Sequence, residues 1–339
     1  SGAGQNFGFF SRISGTVYNL SVVGYFAIDG TTDAKSLGAF AGEVAAEGRV
    51  VDCQSLIRFR IAVAATQPLS AAGAIGVNYG LIDGLMTSAG GEISIDSSRA
   101  FCIGSTVGSN YGTVRNVNQS GRGGSVSVTL ARSLQCDIGS FAGYNAGRIE
   151  NCFSERGISV LLSQGDNVYL EKSVLLGGFA GRNDGTVEQA TTLYGEPEYS
   201  VSNLTLFGET GLYLSYNPYA ENPCYIVYAV GKDSQGITYT AKYVIYPDEN
   251  AKKIGSTEYA EYTLSEFAAA HPAEAKKIVS LRDALAFDRF VSENSGKTVN
   301  CTVIESIGTG NISELVSSCG FDELKWNYLL RLHSTVYEP

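Results

Sequence analysis

The chain has 339 residues, enough to bury a sizeable core in one or two domains. Its composition is 44% hydrophobic but only 17% charged, with 40 Gly. This balance disfavours a long coiled coil or a charge-driven disordered chain and favours short strands joined by Gly turns. The net charge of −10, without a basic cluster, argues against nucleic-acid binding.

No run of about 20 apolar residues is present, so we expect no membrane insertion by this segment. The chain begins at Ser1 without an apolar leader-like run, which we interpret as a mature form or an excised piece. The seven Cys show no metal-ligand spacing, and we expect mostly buried small hydrophobes, with one or two disulfides as the alternative.

An internal repeat occupies the first two thirds of the chain. Six segments align on a Gly that is followed two residues later by a β-branched residue, at intervals of 33, 32, 32, 35 and 38 residues. Such intervals lie within the range of about 20–50 residues that stacked repeat proteins use. The six pairs are Gly15 and Val17, Gly48 and Val50, Gly80 and Ile82, Gly112 and Val114, Gly147 and Ile149, and Gly185 and Val187.

The residues after each pair predict a bend. The fifth position after the Gly is apolar in every copy, whereas the fourth is polar in five of six. Because side chains alternate along a strand, this pattern requires a turn at the fourth position, where Asn and Asp tolerate left-handed backbone. The fourth positions are Asn19, Asp52, Gly84, Asn116, Asn151 and Gln189. Stacked copies would align the apolar residues in ladders, each buried Val, Ile or Leu contributing about 1.5–3 kcal/mol.

A second Gly lies four residues upstream of the aligned Gly in four copies, with an Asn between the two. These pairs are Gly76 and Asn78, Gly108 and Asn110, Gly143 and Asn145, and Gly181 and Asn183. In the second copy Gly42 matches after a two-residue insertion, and we place Glu47 at the position of the Asn.

The full pattern resembles the GLUG-motif repeats of bacterial secreted and cell-surface proteins, adhesin-like ones among them. The resemblance covers roughly Gly4 to Gly208. Its clearest matches are Gly143, Asn145, Gly147, Ile149 and Asn151 in the fifth copy. It implies a parallel β-helix with a role at the cell surface.

We therefore predict a mainly β protein. Residues 1–208 are expected to form a right-handed parallel β-helix of about six coils, and residues 209–339 a smaller α+β domain. A Gly-rich β-sandwich is the alternative for the first part, but a sandwich has no reason to keep regular intervals with matching apolar positions.

In the second part, Cys224–Val230 and Ile237–Tyr246 read as the strands of a hairpin. A helical stretch follows that is interrupted or restarted at Pro272. A further helix is predicted from an N-cap at Ser280 to a stop at Gly296.

This last segment also resembles the helix and turn that precede the β-helix in GLUG-type proteins. The matches are Ile278, Ser280, Asp283, Phe287, Gly296, Lys297 and Thr298, with Ala284 in place of the usual Leu. If so, the chain is cut from a protein with tandem β-helices, or this segment caps the open first coil of a neighbouring copy and builds fibres. An α+β domain that folds on its own is the third alternative.

We expect no catalytic, cofactor-binding or metal site. Both His residues, His271 and His333, lie outside the repeats, and no phosphate-binding loop is present. The outward third position reads Tyr18, Val51, Asp83, Arg115, Glu150 and Glu188. Glu150 and Glu188 could be neighbours, as in a polysaccharide-cleaving β-helix, but we favour a solvated charged strip.

The expected function is that of a non-enzymatic extracellular or cell-surface scaffold. Its partners would be a host protein, a glycan or further copies of the chain stacked head to tail into fibres. A carbohydrate-binding or polysaccharide-cleaving β-helix is the alternative.

Overall fold

A computed structural model describes residues 6–97, 99–132, 135–155, 158–162, 172–193, 198–216, 222–233 and 236–304. Over these residues the chain is mainly β, with parallel sheets and two helices. The coarse prediction of a mainly β protein built on parallel strands is therefore confirmed.

Two of the sheets contain seven short parallel strands each. The first sheet consists of Asn6–Phe7, Ser36–Gly38, Leu69–Ala72, Phe101–Gly104, Cys136–Gly139, Val174–Gly177 and Leu285–Asp288. The second sheet consists of Phe10–Ile13, Ala41–Val44, Ile75–Asn78, Val107–Asn110, Ala142–Asn145, Ala180–Asn183 and Val291–Asn294.

The third sheet is larger and curled. Its short strands are Thr16–Tyr18, Thr113–Arg115, Arg148–Glu150, Phe153–Ser154, Thr186–Glu188, Thr191–Leu193, Lys297–Val299 and Thr302–Ile304. Its longer strands are Ser21–Thr32, Arg49–Ala65, Leu81–Asp96, Asn118–Arg132, Ile158–Leu162 and Glu198–Leu206.

Each repeat supplies strands to the first, second and third sheets in turn, and strands of successive repeats pair in parallel. In the first repeat, for example, Phe10–Ile13 pairs with Ala41–Val44, and Thr16–Tyr18 pairs with the start of Arg49–Ala65. The register follows the Gly frame, so that residues at equal distances from the aligned Gly become neighbours.

The predicted bend lies at the fourth position after every aligned Gly. The six residues there have φ between 50° and 76°, in the left-handed region that non-Gly residues seldom adopt. In most repeats one short strand of the third sheet ends at this corner and the next begins two residues later, whereas in the second and third repeats the corner lies within the continuous strands Arg49–Ala65 and Leu81–Asp96. The prediction of a left-handed turn at these positions is confirmed.

The Asn residues two positions before the aligned Gly form a buried ladder. The side-chain amide of Asn78 donates to Asn110 at 2.8 Å, Asn110 to Asn145 at 2.8 Å and Asn145 to Asn183 at 2.7 Å. These four side chains are fully buried, so each amide depends on its neighbours for hydrogen bonds. In the second repeat the register places Val44 opposite Asn78, so the assignment of Glu47 to this position is wrong.

A seventh repeat follows the predicted six, after a long insertion. Leu285–Asp288 pairs with Val174–Gly177, Val291–Asn294 with Ala180–Asn183, and Lys297–Val299 with Thr186–Glu188. The seventh repeat keeps the Gly296 frame, and its corner residue Asn300 has φ 52°.

The helix predicted from Ser280 to Gly296 is therefore wrong, because the helix that contains Ser280 ends at Asp283 and the residues from Leu285 onward continue the sheets. When these residues pair with the sixth repeat, their backbone groups gain hydrogen bonds and the apolar edge of the sixth repeat is covered. This gain in free energy outweighs the weak helical propensity of the segment. The predicted domain boundary at residue 208 does not coincide with a boundary between sheets. The division of the chain into two folding units there remains a prediction.

The insertion between the sixth and seventh repeats contains the hairpin and the helices. Glu198–Leu206, Glu209–Tyr216, Tyr225–Asp233 and Gly236–Tyr246 pair antiparallel in that order, and Ala260–Thr263 then pairs in parallel with the last of them. Helix α1 (Leu264–Ala270) starts at a capping box of Thr263 and Glu266, and helix α2 (Pro272–Asp283) starts at Pro272. The predicted hairpin and helix restart are confirmed.

We expect Asn145→Val to lower the free energy of unfolding by about 2–4 kcal/mol, because it removes the 2.8 Å hydrogen bond that Asn110 donates and leaves the buried side-chain oxygen of Asn183 without its donor. Asn294→Val is the matched control at the exposed end of the ladder, where water can replace the lost partner, and should cost below about 1 kcal/mol. Urea denaturation of both variants measures the difference. Equal losses of unfolding free energy in the two variants would contradict a stabilising role for the buried part of the Asn ladder.

Candidate functional site: the open edges of the terminal repeats

The six β-branched residues of the repeat form one column. Val17 pairs with Val50, Ile82 with Val50 and Val114, and Ile149 with Val114 and Val187. The five members from Val50 to Val187 are fully buried, whereas Val17 is partly exposed. The column is a core ladder, and its first member lies at an uncovered end.

The aligned glycines form a second column in which backbones touch. The amide that follows each Gly donates to the carbonyl of the preceding Gly, as Arg49 N does to Gly15 O at 2.8 Å and Lys297 N to Gly185 O at 2.8 Å. A Cβ on Gly80, Gly112, Gly147, Gly185 or Gly296 would come closer than 3.0 Å to the carbonyl oxygen of the preceding Gly, a separation that real Cβ atoms do not show. Only Gly therefore fits at these positions when successive repeats pair.

Gly15 is the exception, because nothing lies within 4 Å of the position of its Cβ. No repeat precedes it in the described part of the chain. The site that a preceding Gly carbonyl occupies in the third to seventh repeats, and the Ile13 carbonyl in the second, is empty here.

The edge of the first repeat is open and apolar. Among the described residues, the strands from Asn6 to Thr32 pair only with the second repeat. Large side chains on this repeat are unusually exposed, with Phe9 at 60%, Tyr18 at 65% and Val23 at 73%. An unpaired strand edge beside exposed apolar groups is a template for pairing with another chain.

The seventh repeat presents the opposite edge. Its strands pair with the sixth repeat alone over the described range, which ends at residue 304. It carries Thr298 where the other repeats have Val or Ile, and Thr298 is exposed. This edge is more polar than that of the first repeat, yet it presents the same backbone frame.

The outward third position carries ion pairs along part of its length. Glu150 and Glu188 are indeed neighbours in the register, and Arg148 contacts both, at 3.0 Å and 2.9 Å. Nearby, Arg115 pairs with the mostly buried Asp83 at 2.9 Å. An arginine shared by the two carboxylates is typical of a charged strip and does not favour a general acid and base pair.

A second polar cluster lies where side chains of the first and second sheets meet. Arg182 lies 3.3 Å from Asp137 through Nε and Oδ2, and its guanidinium carbon lies 4.5 Å from the ring centroid of Tyr144. The Tyr144 hydroxyl donates to Asp184 at 2.8 Å. Asp137 is almost fully buried, and burial raises the pKa of its carboxyl to about 6 despite the favourable charge of Arg182.

The remaining reactive groups of the described chain are shielded. Its six cysteines are free: the expectation of buried cysteines holds for Cys53, Cys136 and Cys152, whereas Cys102, Cys224 and Cys301 are half-buried. Burial raises the pKa of Cys152 to about 12, so the thiol stays protonated. His271 packs against the rings of Phe207 and Phe267, and His333 lies outside the described residues.

Comparisons of the chain with models of known protein families, with curated protein sequences and with solved structures found no match. The resemblance to GLUG-motif proteins thus rests on the repeat residues alone. Within the described residues, no helix is long and apolar enough to cross a membrane, and no group of three or more His, Cys, Asp or Glu side chains could hold a metal ion.

Gly147→Ala should lower the free energy of unfolding by at least about 2 kcal/mol, because the new methyl group meets the backbone of the fourth repeat. The control is Gly15→Ala at the same motif position. It should be neutral or stabilise the chain by up to about 1 kcal/mol, since the methyl group enters open space and restricts the unfolded chain. Thermal unfolding of both variants checks this, and similar losses would show that stacking does not set the requirement for Gly.

The raised pKa of Asp137 predicts that the stability of the folded protein depends on pH. Since its pKa is raised in the folded state, the protonated form is the stabilising one, and stability should fall as the pH rises from about 4 through about 6. Asp137→Asn should remove this fall, which amounts to about 1–3 kcal/mol. Urea midpoints between pH 4 and pH 7 measure it. Cys102→Ser, which keeps the carboxyl, should retain the dependence, and parallel curves for wild type and Asp137→Asn would refute the assignment.

Proposed function

We propose that the protein is a non-enzymatic scaffold of the cell surface or extracellular space that stacks end to end on copies of itself. In this arrangement the three sheets wind as a right-handed parallel β-helix. The seventh repeat of one copy docks against the first repeat of the next, and the ladders of one copy continue into its neighbour.

The single observation that carries this proposal is the empty space at Gly15. Six later glycines each receive a neighbouring backbone at this position, and only the first repeat lacks it within the described chain. A docked copy would place Gly296 O there, with Thr16 N as the donor that continues the hydrogen bonds of the Gly column. A contact between two different faces that does not close on itself propagates into a filament.

The side chains of the first repeat support the same interface. Phe9 and Val23 are mostly exposed to water. Burying them in an interface would contribute about 25 cal/mol for each Å² of apolar surface removed from water. The low charge content of the repeat region limits repulsion between copies. An extracellular location follows the resemblance to GLUG-motif proteins, and the buried, protonated thiols are compatible with it.

Self-association of the purified full chain tests the proposal. We expect wild type to sediment as a concentration-dependent series of oligomers, with filaments in negative-stain micrographs. Gly15→Ala should sediment as a monomer with an unchanged circular dichroism spectrum, because its methyl group occupies the space that a neighbouring carbonyl needs.

Gly24→Ala is the matched control. Gly24 also has nothing within 4 Å of its Cβ position, but it lies in the long strand Ser21–Thr32, beyond the Gly column. This variant should associate like wild type. A wild-type chain that remains monomeric at high concentration, or a Gly15→Ala chain that associates normally, would rule out the stacking interface.

A further inference from the structure

A cavity lies between the insertion and the seventh repeat. Its volume is about 230 Å³, and it is bounded by the strands that carry Tyr216 and Tyr225, by helix α2 and by the strand Leu285–Asp288. An engineered cavity of about 150 Å³ lined by Leu, Ile and Phe is large enough to bind benzene. The cavity of this protein therefore has room for an aromatic ring with a short substituent.

Most of the cavity wall is apolar. Ile278 and Leu281 of helix α2, together with Leu214, provide buried aliphatic groups. Phe287 and the Tyr216 ring, whose centroids are 6.3 Å apart, provide aromatic faces. These side chains would contact the apolar body of a ligand and would favour a ring over a flexible polar chain.

The polar groups of the cavity wall are the hydroxyls of Tyr216 and Tyr225 and the guanidinium of Arg282, and all three can donate hydrogen bonds. Tyr225 is 2% exposed, and its hydroxyl oxygen makes no hydrogen bond of good geometry within the described chain, although Tyr216 and Arg282 lie close enough to interact with it. Burial raises the pKa of Tyr225 far above the ordinary value, so the hydroxyl keeps its proton. A buried hydroxyl without a hydrogen bond of good geometry is costly, and a bound acceptor would remove that cost.

Arg282 adds a positive charge beside this hydroxyl. Its Nε and Nη2 atoms contact Asp283 Oδ1 at 2.8 Å and 2.7 Å. A guanidinium has five N–H donors in a planar fork, and the pair with Asp283 engages two of its three nitrogens. Arg282 can therefore contact an anionic acceptor in the cavity while it retains Asp283.

We propose that this cavity binds a small aromatic monocarboxylate. The carboxylate accepts hydrogen bonds from the Tyr225 hydroxyl and the Arg282 guanidinium, and the ring lies among Ile278, Leu281 and Phe287.

Most of the residues that line the cavity belong to the insertion, and Leu285 and Phe287 belong to the start of the seventh repeat. The Gly15→Ala variant, which changes only the first repeat, therefore separates ligand binding here from end-to-end stacking.

Calorimetric titration of the full-length chain with phenylacetate tests the site, with 2-phenylethanol as the uncharged probe of similar shape. We expect phenylacetate to bind at a ratio of one per chain, and 2-phenylethanol to bind at least about tenfold more weakly because it lacks the charge that Arg282 recognises. Tyr225→Phe should weaken phenylacetate binding by about tenfold. Tyr79→Phe, at an exposed ring that follows the strand Ile75–Asn78 and does not line the cavity, should not change it.

Gly15→Ala should bind phenylacetate like wild type, which separates this site from the stacking interface. Lack of phenylacetate binding by wild type would overturn the proposal. Equal affinity for the two probes would show an apolar void only, and an unchanged affinity in Tyr225→Phe would remove the hydroxyl from the site. Ile278→Trp, which fills the cavity, should abolish binding while the circular dichroism spectrum is retained.

Discussion

The whole structure depends on the close contact between successive repeats at the Gly column. The amide after each Gly donates to the carbonyl of the Gly before it, and no side chain fits between the two backbones. This contact fixes the register of the third sheet, and through it the buried column from Val50 to Val187. The Asn ladder runs beside it and satisfies polar groups that have no access to water. An error of one residue in register would break both ladders together.

A column of identical contacts has two ends that cannot be satisfied within one stack. In this protein the ends differ in character. The first repeat exposes Phe9, Tyr18 and Val23 beside an empty glycine contact, whereas the seventh repeat has Thr298 at the core position and an exposed Asn294. Terminal repeats of stacked proteins are commonly atypical because they face water or a partner. The apolar character of the first repeat is the physical basis for proposing a partner at that end.

The insertion gives the protein a second kind of chemistry. It interrupts the repeats after the sixth copy, extends the third sheet with antiparallel strands and returns through two helices to the seventh copy. The junction brings aromatic and aliphatic side chains from four elements around a space that they do not fill. A buried hydroxyl that makes no hydrogen bond of good geometry lies at the same place. A stacked core provides rigidity, and the insertion provides a recess of the size of a small ligand.

The sequence by itself determined the repeat frame, the left-handed corners and the core column, because these depend on residue types at fixed spacing: Gly where backbones touch, Asn where φ is positive, Val or Ile between them. The hairpin and the restart at Pro272 were also local signals. Only the tertiary structure decided that residues 285–304 form a seventh repeat. Gly296 lies 111 residues after Gly185, and the segment that follows it pairs with the sixth repeat, which local propensity does not encode. It alone placed Val44 in the Asn column, Asp137 beside Arg182, and Tyr225 beside an unfilled cavity, because each of these contacts joins side chains from strands or helices that are distant in the chain.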